Sequence, residues 1–394
     1  MTKKRIGFVV QRYGLEVSGG SELLCRTLAE RLGKYFDIEV LSTCAIDHDT
    51  WANEYPPGPQ TVNGVPVLRF PSDYTRDPLE FEKFTFDLFN ERSSWTREEE
   101  IDWMRRQGPY SQALFDHLQA HKASYDAFVF FTYLYCTAYF GLPPVRDKAF
   151  LLPAAHDEDY IYLSIFNKIF RDLRGIIFLS PEEQSLVNGI FGNRDLPQVV
   201  TGMGIDVAEK RTSVEAFREK YNLRKPYILS LGRIELGKGS PHLFHYFDLY
   251  KKAEDRDVQL LLIGKSLIDI PDRPDIRHLG FVSDEDKCSA LAGAEFLLNG
   301  SFFESLSIVI MEAWALGVPA LVNGQCKVMA GQCARSGGGL WYNDFNEFRK
   351  CVNLLLDDRE LARKLGASGR DFVKKNYSWE TIEQKYASFL NRYI

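Results

Sequence analysis

The chain has 394 residues, 45% of them apolar and 26% charged, and a formal net charge of −6. That length exceeds what one hydrophobic core normally serves and calls for two domains, while the composition is that of an ordinary globular protein. The acidic balance argues against nucleic acid as the main partner and gives no support to a strongly basic membrane-docking face, and no run of about 18 uncharged apolar residues is present to cross a bilayer.

The basic start Met1-Thr2-Lys3-Lys4-Arg5 precedes an apolar run, 6–10, too short for a signal segment and broken by Gln11-Arg12, so a cytoplasmic protein is expected. Residues 5–10 read as a strand, followed by a loop ending in Ser18-Gly19-Gly20. Leu23, Leu24, Leu28 and Leu32 then recur at helical spacing over 21–32, closed by Gly33, before a second strand at 38–42. Strand, glycine loop, helix and strand in that order signal an α/β unit with a parallel sheet. Residues 72–124, rich in charge and aromatics, predict helical elaborations, and further strands are predicted at 65–70, 127–131, 149–153, 175–179 and 198–200. The stretch 201–225, with Gly202 and Gly204, reads as the linker. A second series opens with a strand at 227–231, a loop at 232–239 and an amphipathic helix near 242–253, and continues with strands at 259–263, 276–279, 295–298 and 320–322. The tail, 378–394, reads as a helix with Trp379, Ile382, Tyr386 and Leu390 on related faces. The seven cysteines (25, 44, 136, 288, 326, 333 and 351) form no C-x-x-C pair, so reduced and mostly buried thiols are expected.

The most informative stretch is Phe303-Glu304-Ser305-Leu306-Ser307-Ile308-Val309-Ile310-Met311-Glu312-Ala313. Residues 308–316 are apolar and helix-compatible, and Gly317-Val318-Pro319 supplies the stop. Ser305 and Ser307 are good N-cap types, so the backbone N–H groups of Ser305, Leu306 and Ser307 are expected to face outward as an anion site. Glu312 falls about 7–8 Å along the helix from Ser307, at about 1.5 Å per residue. That separation suits a diphosphate at the helix start and a ribose diol further along. The combination suggests a nucleotide-diphosphate sugar, with Glu312 accepting from ribose hydroxyls and Glu304 from sugar hydroxyls; two solvated helix carboxylates are the alternative.

This segment resembles the donor-site motif of the retaining glycosyltransferases of family 4, with Ser305, Leu306 and Ser307 in place of the family's Gly-Phe-Gly. The resemblance implies α/β architecture of the GT-B type: two Rossmann-like domains facing each other across a cleft, an N-terminal acceptor domain at 1–205 and a C-terminal donor domain at 206–377, with the terminal helix 378–394 packing back on the first. It extends to Gly19 and Gly20, which would approach the donor, to His156 beside the reacting sugar, to Gly204-Ile205-Asp206, and to Arg233 and Lys238 as a cationic pair on the diphosphate. A guanidinium clamps such a group bidentately and an ammonium acts as a point charge. Phe281 and Val282, after a short strand, would contact the base through main-chain groups, and Asp284 would open a capped helix.

Other readings stand beside these. Gly232 with Gly237-Lys238 mimics a phosphate-binding ATPase loop, but Gly239 occupies the place where Ser or Thr would hold magnesium. His156, Asp157 and Asp159 could ligate a metal, or Asp157 and Asp159 could simply favour a helix start. Gly19-Gly20 could be a tight turn; it lacks the G-x-G-x-x-G spacing of a dinucleotide site. His48, between Asp47 and Asp49, reads as surface loop, and Tyr133, Tyr135 and Tyr139 as acceptor-lining rings or core. The resemblance implies transfer of a hexosyl unit from a nucleotide sugar, UDP-glucose first, with UDP as product and no metal or other cofactor. The acceptor implied is a glycan or lipid-linked glycan in polysaccharide biosynthesis, which brings peripheral contact with the inner membrane face. A nucleotide-sugar epimerase or phosphorylase on the same fold, or a non-catalytic nucleotide-sugar binding protein, are the alternatives.

Overall fold

The computed structural model describes residues 3–90, 95–206 and 213–394. Parts of the expected helical region (91–94) and of the expected linker (207–212) lie outside these. The chain forms two compact units, Met1–Thr201 with Glu383–Ile394, and Gly202–Ile382.

The first unit is built on eight strands: β1 (Arg5–Val10), β2 (Asp37–Thr43), β3 (Gly58–Val62), β4 (Val65–Phe70), β5 (Ala127–Phe131), β6 (Ala149–Leu152), β7 (Gly175–Phe178) and β8 (Gln198–Val200). Their order across the sheet is β3-β4-β2-β1-β5-β6-β7-β8, and only β3 runs antiparallel, against β4. The central strands are apolar throughout because helices cover both faces of a parallel sheet: every residue of β5 and β6 is buried. The expected helical elaborations are present as Pro78–Asn90, Arg97–Gln107 and Gln112–His121. Trp103, Met104, Leu114, Phe115 and Leu118 insert from them into the core. From the terminal helix Trp379–Tyr393, Phe389 meets Phe150 at 5.7 Å between ring centroids, and Glu383 pairs with Arg31 and Lys34.

The second unit holds β9 (Tyr227–Leu231), β10 (Gln259–Ile263), β11 (Ile276–His278), β12 (Leu297–Asn299), β13 (Ala320–Asn323) and β14 (Gly339–Tyr342). They form a fully parallel sheet in the order β11-β10-β9-β12-β13-β14. Counted from β9, that is the 3-2-1-4-5-6 order of doubly wound nucleotide-binding sheets. Two strands, β3 and β14, go beyond those predicted. The strand expected at 295–298 is displaced to Leu297–Asn299 because Glu295 and Phe296 bond singly to Tyr227 and Leu229 before the ladder begins. Trp379, Ile382, Tyr386 and Leu390 are all buried, as the tail's periodicity predicts.

Candidate functional site

In the second unit the chain reverses its winding direction between β9 and β12, and ligands of open α/β sheets bind at the strand carboxyl ends beside such a reversal. Two loops leave there, 232–239 after β9 and 300–307 after β12. Lys238 from the first and Glu304 from the second meet at 2.9 Å (Nζ to Oε1), the carboxylate side chain 14% exposed. Arg233, more exposed, pairs with Glu235 of its own loop at 3.2 Å. Gly239 is left-handed (φ 67°), and a Cβ there would lie 2.2 Å from the carbonyl oxygen of Gly300. The residue that an ATPase loop would need as Ser or Thr therefore has no room for a side chain.

The helix Ile308–Ala315 begins after Ser307, but the expected arrangement of amides needs correction. The N–H of Ser307 donates to Oε1 of the fully buried Gln332 at 3.2 Å, and Ser307 is 1% exposed. It therefore points into the unit and cannot face an anion. Its hydroxyl accepts from Asn299 Nδ2 at 3.1 Å instead of capping the helix. Ser305 and Leu306 are buried as well. The amides that helix geometry leaves over belong to the first turn, at Ile308 and Val309, both half-buried. Further along, Glu312 is held by Lys287 at 3.0 Å, and Lys287 reaches Asp284 at 3.3 Å. Burial pulls the Lys287 ammonium down, but Glu312 and Asp284 outweigh it and hold its pKa above the ordinary lysine value. Phe281 is 78% exposed and Val282 half-buried. Ser283 caps the helix Asp284–Ala292, accepting from the Asp286 N–H at 3.1 Å, as its sequence predicts.

In the first unit the reversal falls between β1 and β5, and Gly19 and Gly20 lie in the loop after β1 and at the start of the helix Gly20–Leu32. The loop is fixed by a buried pair absent from the sequence reading. Arg12 donates to Glu22 Oε1 at 2.6 Å, to Ser18 O at 3.0 Å and to Ile46 O at 2.7 Å, while Gln11 adds a bond to Glu22 at 2.9 Å. A Cβ on Gly19 would meet Glu22 Oε2 at 2.2 Å, whereas one on Gly20 would meet open space. The close approach of Glu22 thus leaves room only for glycine at 19.

His156 follows β6, half-buried, its Nδ1 3.7 Å from Glu158 Oε1. Asp157 accepts from the Tyr162 hydroxyl at 2.6 Å. Among the described residues the group able to share a metal ion is Asp47, His48 and Asp49, and not His156 with its neighbours. Asp47 there already accepts the Thr50 N–H and hydroxyl at 2.8 and 2.7 Å, as in an ordinary surface turn. Tyr133 is 1% exposed and belongs to the core, where its ring packs edge-on to Phe166. Tyr135 and Tyr139 are half-buried.

Residues 213–372 match the family model described as glycosyl transferases group 1. The chain is 30% identical over 159 residues to an MMP alpha-(1->4)-mannosyltransferase of Mycolicibacterium hassiacum, covering 37% of this chain and 38% of that protein. It is 25% identical over 211 residues to a trehalose synthase of Pyrococcus horikoshii, covering 47% and 49%. The matches thus span between 38% and 54% of the length of the first three curated relatives. Among solved structures, sucrose-phosphate synthase of Thermosynechococcus elongatus superposes with a TM-score of 0.72 at 16% identity over 99% of both chains. HepE of Anabaena in complex with UDP-glucose gives 0.70 at 16% identity over 98% of this chain and 99% of that one.

Proposed function

We propose that this chain, which has the GT-B fold and matches the group 1 glycosyl transferases through residues 213–372, moves a hexosyl unit from a nucleotide sugar to a glycan or lipid-linked glycan with retention at the anomeric carbon. The observation that carries the reading is the Lys238–Glu304 pair at the winding reversal of a 3-2-1-4-5-6 sheet. Lys238 and Arg233 balance the charge of the departing diphosphate, together with the first-turn amides of Ile308 and Val309. Such fixed charge acts most strongly where leaving-group charge develops. Glu304 accepts from sugar hydroxyls, Glu312 from the ribose diol, and His156 lies by the reacting carbon. The bond from the anomeric carbon to the diphosphate oxygen breaks as the acceptor hydroxyl attacks from the same face, and its proton passes to the departing diphosphate. Fixed cations take the part a metal ion plays elsewhere, so chelation should leave turnover unchanged.

UDP-glucose is the first donor to try. HepE is described in complex with it, while a Corynebacterium glutamicum relative is named GDP-mannose-dependent. A relative from Rhizobium meliloti is named for lipopolysaccharide core biosynthesis, which supports a lipid-linked acceptor met at the inner membrane face. Thermal-shift measurements with UDP, GDP and ADP, each with and without attached sugars, identify the donor. NMR of the product then reads the anomeric configuration. No stabilisation by any of these ligands would sink the proposal.

A further inference from the structure

Glu183 is a buried carboxyl that the proposed chemistry does not use. It is the third residue of the helix Pro181–Phe191, and its own N–H is held by the cap Ser180 at 3.1 Å. A glutamate at that position ordinarily reaches back to the cap residue's N–H. Here the cap's N–H is one of several groups acting on the carboxyl, and its two oxygens reach further. Oε2 accepts from the Leu179 N–H at 2.6 Å, and Oε1 crosses to the neighbouring strand's loop to accept from the Ala155 N–H at 2.7 Å. Glu183 is 1% exposed, and a carboxyl so buried is costly unless its environment requires it.

The loop it grips is strained. Ala154 has φ 49°, a left-handed conformation that a residue with a Cβ adopts only when its surroundings impose it. Ala154 is joined on one side to the end of β6, and on the other to Ala155, whose N–H Glu183 holds, and then to His156. The adjoining turn after β5 is braced in the same region, Thr132 (φ 62°) donating its N–H to Leu152 O at 2.8 Å. The clamp therefore acts on the backbone one residue before His156, and that imidazole is itself an ionisable group acting on the Glu183 carboxyl.

We infer that Glu183 is a positioning residue for His156: its two oxygens pin the Ala154–Ala155 turn to the start of the helix Pro181–Phe191 and thereby set where His156 is presented. The inference rests on the reading of His156 as a group at the reacting sugar, and concerns how it is held there. Glu183→Gln tests it, because an amide retains one acceptor oxygen and offers a donor to the other N–H. With nucleotide-sugar affinity measured by calorimetry and fold by circular dichroism, the variant is expected to keep donor affinity within about twofold and lose tenfold or more in kcat. Adding Ala154→Gly, which adopts the left-handed turn without strain, is expected to recover most of that loss, and it supplies a folded background if the single variant does not fold. The imidazole NMR signals of His156, assigned by His156→Gln, should move in Glu183→Gln. That readout stands whether or not glycosyl transfer is the activity, so absence of turnover in the unaltered protein would remove the functional reading and leave the positioning test intact. Unchanged His156 signals, or a kcat loss that Ala154→Gly does not relieve, would overturn the inference.

Discussion

Lys238 and Glu304 are in contact before any ligand arrives, so in the proposed function the cation for the diphosphate is already oriented by the carboxylate for the sugar. Lys238→Met removes the charge while keeping much of the stem. Turnover is expected to fall at least 100-fold, about 3 kcal/mol of transition-state stabilisation, with donor affinity changed far less; steady-state kinetics with calorimetry separates the two. A variant with near-normal kcat would show that Lys238 serves only the fold. Lys287 plays a comparable part for Glu312, at 3.0 Å. Lys287→Met should weaken nucleotide binding about tenfold, or ~1.4 kcal/mol, by leaving the carboxylate without the partner that aims it. Equal affinity for the variant and the parent would remove Lys287 from the site. The placement of Arg233, Lys238 and Glu304 in loops after strands was legible in the sequence because each follows an apolar run and a turn signal. The holders of Glu312 and Ser307 were not: Lys287 lies 25 positions from Glu312, and Gln332 25 from Ser307. Nothing in a single sequence says which distant side chain meets which.

The loop between β12 and the helix Ile308–Ala315 is shaped by amide side chains rather than by its own sequence. Asn299 accepts from the Ser301 N–H at 3.0 Å and donates to Ser307, Asn323 donates to Gly300 O at 3.3 Å, and Gln332 takes the Ser307 N–H. These bonds explain why Ser307, expected to cap the helix, is turned inward. Gln332→Leu keeps the volume and strands the Ser307 N–H, a buried donor without a partner. Urea unfolding should register a loss of about 1–3 kcal/mol, and nucleotide affinity should fall with it as the helix start loosens. A variant as stable as the parent would mean that the N–H finds another acceptor. Elsewhere, strands with continuous apolar runs, such as β5 and β10, were readable to the residue. β3 was not, because it is a solvent-facing edge strand that carries Pro59, tolerated at an edge. β14 was hidden by Gly337, Gly338 and Gly339, which read as loop although Gly339 opens the strand.

At the scale of the whole chain, two mainly parallel sheets each present a winding reversal, and the pH response of the first unit is set in part at the carboxyl ends of β6 and β7. Burial raises the Glu183 pKa to about 7 against the lowering influence of the Leu179 and Ala155 N–H groups, of His156 and of the Ser180 N–H. Glu183 in turn acts on Tyr133 and Tyr386, whose phenols burial keeps well above the ordinary tyrosine value, hence neutral. A carboxyl whose folded pKa lies above its unfolded value binds more protons in the native state, so its contribution is complete below about pH 4.5 and is lost as pH rises through 7. At 1.36 kcal/mol per pKa unit, the change is about 3 kcal/mol. His117 works in the opposite sense. Burial and His121 lower its pKa, so its contribution is present above about 6.5 and declines as pH falls below that value. Amide exchange of β5, β6 and β7 should therefore show stability falling between pH 4.5 and 7 in the parent protein. In Glu183→Gln, which has no proton to release, the fall should vanish and leave the shallow rise due to His117. An unchanged slope in the variant would mean that Glu183 is ionised throughout, its backbone donors outweighing burial, and the clamp on Ala155 would then be that of a full carboxylate.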